Sequence, residues 1–267
     1  MISAIRRPAP ALIACLLLVA GCTKLPPPGA PVTEDELELL VAELSRDAGE
    51  LRGLRASGSG SATLVGRNVD FTFALAYDNP GWLRADLRPE VGSLSSTLTA
   101  LVLWEGGCSR AYLPARGLEV RGCLAGPGEM FADLDYAAVS LGRLDARVLT
   151  GLENAEISVS EDARFVRGTH RGVELELEVR GSPVRMTGLT LTDDDSVIEF
   201  RYGGHGWKPF GWFPETVSTR FTRAGRTVVS ASFNYKSATL ADGIDRSSFT
   251  FDVPPDATII GWEELGL

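Results

Sequence analysis

The chain has 267 residues, 44% hydrophobic and 23% charged, with a formal net charge of −9. That composition excludes wholesale disorder, a collagen-like repeat and a polytopic membrane protein, and the acidic balance speaks against nucleic acid, whose phosphates need clustered cations. Only two histidines, His170 and His205, are present, which leaves little for a histidine-based metal or catalytic centre.

Arg6 and Arg7 precede an apolar run, Ala11 to Ala20. The run is shorter than the ~20 residues of a membrane span and suits a secretory signal. It ends in Leu18-Val19-Ala20-Gly21-Cys22, the pattern of a bacterial lipobox, which predicts cleavage before Cys22 and acylation of its thiol. Two or three fatty chains, at ~0.8 kcal/mol per buried methylene, anchor a protein without a transmembrane helix. Thr23 is not the aspartate that retains many lipoproteins in the inner membrane, so the expected address is the outer membrane, facing the periplasm. Loss of residues 1–21 removes two arginines and leaves 24 basic and 35 acidic residues, a formal −11. Pro26, Pro27, Pro28 and Pro31 make residues 22–32 a stiff tether, and residues 33–267 follow as a single domain.

Thr33-Glu-Asp-Glu36 is a capping box, and Leu37, Leu40, Val41, Leu44, Ala48 and Leu51 recur at helical spacing, which predicts a helix over Thr33 to Leu51. The period then changes to two. Val69, Phe71, Phe73, Leu75 and Tyr77 share one face of a strand, and Leu83, Ala85 and Leu87 repeat the pattern after the Asn79-Pro80-Gly81 turn. Ser57-Gly-Ser-Gly-Ser61 leads into this strand region and has no strand before it, so it is not a phosphate loop. A further strand runs from Leu94 to Trp104. Cys108 to Leu113 and Leu118 to Cys123 then form a hairpin about Pro114-Ala-Arg-Gly117. Pairing Leu113 with Leu118 sets Cys108 opposite Cys123, at the ~4.5–5.5 Å Cβ separation of cross-strand neighbours. A structural disulfide is expected there, worth ~3 kcal/mol for a loop of this length. A redox or metal pair would want a Cys-x-x-Cys spacing or a nearby histidine.

Pro127 opens a second predicted helix, which carries Met130, Phe131, Leu134, Ala137, Leu141, Leu144 and Val148 at helical period and stops at Gly151. Beyond it Val173, Leu175, Leu177 and Val179 alternate with Glu174, Glu176, Glu178 and Arg180, a strand with one wet face. Asp193-Asp194-Asp195-Ser196 separates two more strands; it reads as a turn, since the spaced ligands of a calcium loop are missing. Val217 to Arg223, Thr227 to Tyr235 and Ser248 to Val253 complete the set. His170 falls in a turn. The glycine- and aromatic-rich stretch from Tyr202 to Pro214, with His205 inside it, fits either the lip of a ligand pocket or a long loop packed by its own rings. No nucleophile elbow, Walker loop or zincin motif is present, and no metal or cofactor is implied. The fold class is therefore mainly β (α+β): one long, curled antiparallel sheet whose apolar concave face two helices cover.

Arg52 to Gly60, the Phe-rich strand, Tyr77-Asp-Asn-Pro-Gly-Trp-Leu-Arg-Ala-Asp-Leu87 and Arg88-Pro-Glu-Val-Gly-Ser-Leu94 resemble the opening of the LolA/LolB lipoprotein-localisation superfamily, most closely its receptor branch, LolB. The acylated Cys22, the helix ending at Leu149-Thr-Gly151 and the closing Phe249-Thr-Phe-Asp-Val-Pro254 fit the same pattern. The resemblance implies an incomplete antiparallel β-barrel lidded by helices, with an apolar cavity for acyl chains. Phe71, Phe73, Leu75, Leu83 and Leu87 would line that cavity, with Leu134 and Leu141 from the covering helix. Val91 would sit at the tip of a loop that dips into the bilayer. The function so implied is not enzymatic: a monomeric lipoprotein takes acylated clients, or lipid, from a periplasmic carrier and delivers them to the outer membrane. The alternative is an accessory envelope-assembly lipoprotein that uses the same fold to bind a protein or glycolipid partner.

Overall fold

The computed structural model describes residues 30–31, 33–46, 53–64, 67–78, 82–90, 100–105, 108–123, 136–241, 243–261 and 264. Cys22, Val91 and Leu134 lie outside them. In chain order the elements are β1 (Ala30–Pro31), α1 (Glu34–Arg46), β2 (Leu54–Leu64), β3 (Arg67–Asp78), β4 (Trp82–Pro89), β5 (Ala100–Glu105), β6 (Cys108–Leu113) and β7 (Leu118–Cys123). Then come α2 (Tyr136–Ser140), α3 (Ala146–Thr150), β8 (Glu153–Ser160), β9 (Ala163–His170), β10 (Val173–Arg180), β11 (Arg185–Asp193) and β12 (Ser196–Gly203). The chain closes with β13 (Gly206–Lys208), β14 (Gly211–Phe213), β15 (Thr216–Arg223), β16 (Arg226–Leu240) and β17 (Thr258–Ile260).

Fifteen strands make one sheet, in the order β1-β8-β9-β10-β11-β12-β15-β16-β2-β3-β4-β5-β6-β7-β17. Among the described pairings, all are antiparallel except β17 on β7. The two ends of that order, β1 and β17, do not pair with each other, so the barrel is incomplete, as expected. β13 and β14 form a separate hairpin. Ala30 and Pro31, at the end of the proline-rich stretch, pair with Ile157 and Glu156 of β8.

The capping box forms as its spacing predicts. The Glu36 N–H donates to Thr33 Oγ1 at 3.3 Å, and the Thr33 N–H donates back to Glu36 Oε2 at 3.0 Å. That back-bond holds the Glu36 carboxyl below its ordinary range. Leu37 and Leu40 turn onto the sheet, α1 packs on α3, and Glu43 pairs with Arg164 of β9 at 2.8 Å. On β10, Val173, Leu175, Leu177 and Val179 are buried. Two of the intervening glutamates are held by arginines: Glu176 by Arg167 at 2.6 Å, and Glu178 by Arg180 at 2.7 Å and Arg201 at 2.6 Å.

Four expectations change. The single helix to Gly151 is two short helices in the described part. Gly142 adopts a left-handed φ of +75°, and the Asp145 carboxylate caps a new start by accepting from the Arg147 N–H at 2.9 Å. A β-carbon on Gly142 would also lie 3.1 Å from Pro214. Ser57 to Ser61 lies within β2, a strand of 11 residues, and not ahead of one. Residues 246–249 form a 3-10 turn capped by Asp245, so Ser248 to Val253 is no strand. The stretch 202–214 contains the β13–β14 hairpin. The Asp193–Asp195 run is the hairpin turn its composition predicts, with Asp193 opposite Ser196.

The C-terminal segment straps the face that the helices leave bare. Phe249 is buried with Ala76 and Ile244, and Arg84 on β4 donates to the carbonyls of Ser248 at 3.1 Å and Thr250 at 2.8 Å. Arg246 lies over the Trp82 ring and Arg110 over the Phe251 ring. Glu119 on β7 is buried between Arg110 at 2.6 Å and Arg121 at 2.7 Å, and the hydrogen bond from Arg121 is the main reason its carboxyl sits below the ordinary range. Cys108 stands directly opposite Cys123, and Leu113 opposite Leu118.

Candidate functional site: the apolar inner face

Opposed residues on neighbouring antiparallel strands point to the same face. Phe73 is opposite Leu87, Leu75 opposite Ala85, and Tyr77 opposite Leu83. The five strand residues expected in the cavity, Phe71, Phe73, Leu75, Leu83 and Leu87, therefore share one face of β3 and β4. Phe71 and Phe73 are buried, and the three leucines are half-buried. Leu141, just past α2, is fully buried and packs in the same cluster as Leu75 and Leu83.

Sequence patterning missed what fills this face. Phe233 and Tyr235 on β16 stand opposite Gly60 and Gly58 on β2. Those glycines in turn lie opposite Phe71 and Phe73 on β3. The rings close over the bare backbone between them. A β-carbon at Gly60 would come within 2.8 Å of the Phe71 ring, and one at Gly58 within 3.0 Å of Phe73. The result is an edge-to-face aromatic cluster: Phe71–Phe233 at 5.7 Å, Phe73–Phe233 at 5.6 Å, Phe73–Tyr235 at 5.4 Å and Phe213–Tyr235 at 5.0 Å. The signal was present in the Gly-x-Gly spacing of β2, since glycines on a strand face leave room that neighbouring rings fill.

Two tyrosine hydroxyls hold the roof. Tyr202 Oη donates to the Val139 carbonyl at 2.8 Å and Tyr235 Oη to the Ser140 carbonyl at 3.4 Å. Both carbonyls belong to the last turn of α2, where helical partners run out. Burial pushes both phenols well above their ordinary range. α2 thus spans two clusters, with Val139 in the one over β9 to β12 and Ala138, followed by Leu141 just past the helix, in the aromatic one. The hairpin completes the roof through Phe210 and Phe213, which pack at 5.7 Å. Among the described residues no group of His, Cys, Asp and Glu is placed to hold a metal ion, and no helix is long and apolar enough to cross a membrane. His170 ends β9 with Nδ1 3.2 Å from the Gly151 carbonyl.

No family model and no curated protein matches the chain. Solved structures do. A DUF1329 family protein from Desulfovibrio piger aligns over 81% of this chain and 95% of its own, at 11% identity and a TM-score of 0.52. A protein from Vibrio parahaemolyticus described as an outer membrane lipoprotein-sorting protein domain covers 82% and 97%, at 10% identity and 0.52. A LolA superfamily protein from Nitrosomonas europaea covers 83% and 99%, at 11% identity and 0.52. At these identities the likeness is one of fold: the chain has the open, helix-lidded antiparallel sheet seen in a LolA superfamily protein.

Proposed function

We propose that this protein is a membrane-anchored envelope lipoprotein that binds acyl chains on the inner face of β3 and β4 and passes acylated clients to the outer membrane. The observation that carries the reading is the row Leu75, Leu83 and Leu87, left half-buried on a face otherwise roofed by helices and the hairpin. Apolar area on a curved, covered face gains by receiving an alkyl chain, at roughly 25 cal/mol per Å² removed from water. In this reading Cys22 carries the anchor, Leu134 adds to the acyl site, and Val91 supplies a membrane-delivery contact. Transfer between carrier, pocket and bilayer then needs only differences in burial, and no cofactor or covalent step. The directly opposed register of Cys108 and Cys123 supports a disulfide that staples the β6–β7 hairpin. A second reading, an accessory lipoprotein with a filled interior and a protein or glycolipid partner, draws on the density of the aromatic cluster.

Lipid extraction and mass spectrometry of the purified full chain, beside its Leu87→Glu variant, separates the two. Acyl lipid held at near-equal stoichiometry by the parent and lost in the folded variant is the expected result. Equal lipid in both, or none in either, overturns acyl binding on this face.

A further inference from the structure

The β13–β14 hairpin has two unlike sides. On one, Phe213 is fully buried and Phe210 is 7% exposed, both in the cluster that contains Leu75, Leu83 and Leu141. On the other, Trp207 and Trp212 stand opposite each other, their rings 5.6 Å apart and nearly perpendicular. Arg185 lies 4.6 Å from the centre of the Trp212 ring, and Arg143 Nη2 donates to the Trp212 carbonyl at 3.1 Å. The anchoring phenylalanines and these two arginines hold the hairpin in place, yet Trp207 remains 62% exposed. An indole offers a large apolar surface and one N–H, a combination that suits the zone between lipid headgroups and acyl chains.

The charge around the hairpin runs against that of the whole chain. Arg143 and Arg185 lie against Trp212, Lys208 follows Trp207 in the hairpin and Glu215 stands at its exit, whereas the chain carries −9 overall. An exposed aromatic beside excess cations matches a surface that is apolar within and anionic at its rim, which describes a bilayer containing acidic lipids. We propose that the β13–β14 hairpin docks the protein on an anionic lipid surface, with Trp207 entering the headgroup region. Phe213 roofs the aromatic cluster from the same hairpin, so docking brings the roof of the acyl site against the bilayer. The purpose of the contact rests on the acyl-transfer reading; the contact itself does not.

The test reconstitutes the full chain through its own anchor into vesicles of phosphatidylethanolamine and phosphatidylglycerol whose acyl chains are brominated, and reads tryptophan quenching. Wild type should be quenched, and Trp207→Ser should lose most of that quenching with its melting temperature kept. Lys208→Gln should weaken the docked population about fivefold, the worth of one cation near an acidic surface. Leu39→Ser, which removes another exposed apolar side chain, on α1, should change nothing. Equal quenching in wild type and Trp207→Ser overturns the proposal, as does quenching unaffected when phosphatidylcholine replaces phosphatidylglycerol. No quenching at all, with Trp207 protected only by an added protein, points to a protein partner and overturns it too. Retained acyl lipid without quenching removes docking alone, whereas quenching without retained lipid removes the acyl-binding reading alone.

Discussion

The inner face of the sheet is built in two ways. Over β9 to β11 it is aliphatic: Val166, Leu177, Val179 and Leu189 are fully buried beneath α1, α2 and α3, and Phe200 and Tyr202 on β12 mark where rings begin. Over β2, β3 and β16 it is aromatic, with perpendicular rings resting on a glycine floor and leucines at its margin left half-buried. In the first region many small contacts are shared among neighbours, so no one side chain can leave without disturbing several. In the second, Gly58 and Gly60 put bare backbone between Phe71 and Phe73 on one strand and Phe233 and Tyr235 on another, and the rings meet edge to face across it. One continuous sheet thus joins an aliphatic foundation to an aromatic region built over glycine.

The contrast can be broken most sharply at Leu177. Leu177→Ala removes a fully buried side chain from the foundation and should cost ~2–5 kcal/mol in chemical denaturation, with lipid retention per folded molecule unchanged. A cost below ~1 kcal/mol would show that the aliphatic region also yields.

A smaller effect is expected at Gly60, where a methyl group would run into the Ser232 carbonyl of β16 and then into the Phe71 ring. Gly60→Ala should destabilise by ~1–3 kcal/mol through overpacking and should lower acyl-lipid retention, because the β16 backbone and the Phe71 ring must both give way. An unchanged midpoint and unchanged retention would mean that the floor carries no constraint.

The smallest effect concerns acid. Burial, with Arg185 close by, holds the His205 imidazole below its ordinary value of 6.5. The unfolded chain therefore takes up this proton first, and stability present above about pH 6.5 is lost as the pH falls below it. Trp207 and Trp212 fluorescence should report slight loosening of the hairpin between pH 6.5 and 5, and His205→Gln should flatten that slope.

Much of the foundation was legible in sequence because local chemistry sets it. Thr33 with Glu36, the alternation along β10, the Asp193–Asp195 turn and the register of Cys108 with Cys123 each follow from neighbours in the chain. The roof was less legible. At Gly142 the chain passes close to Pro214, which comes from far along the sequence, and Phe249 at the end of the 246–249 turn packs with Ala76 on the opposite face of the sheet. For the candidate site, the shared face of Phe71, Phe73, Leu75, Leu83 and Leu87 could be read from a period of two. The rings that lie against them were marked only by the room left at Gly58 and Gly60, because Phe233 and Tyr235 arrive from a strand distant in sequence.

The seam between β2 and β16 joins residues 54–64 to residues 229–240. Each flank of the sheet grows mostly by neighbouring hairpins, but β2 must wait for the chain to reach residue 240 before its second side is filled. Pairing across so long a separation is slow, because loop closure has to be met before any contact rewards it. Until then β2 and its hairpin partners offer an open strand edge, a template for pairing with another molecule. The serines and glycines of β2 make that waiting edge poor in apolar side chains, so the composition that makes room for rings in the finished protein also keeps its unfinished form from sticking.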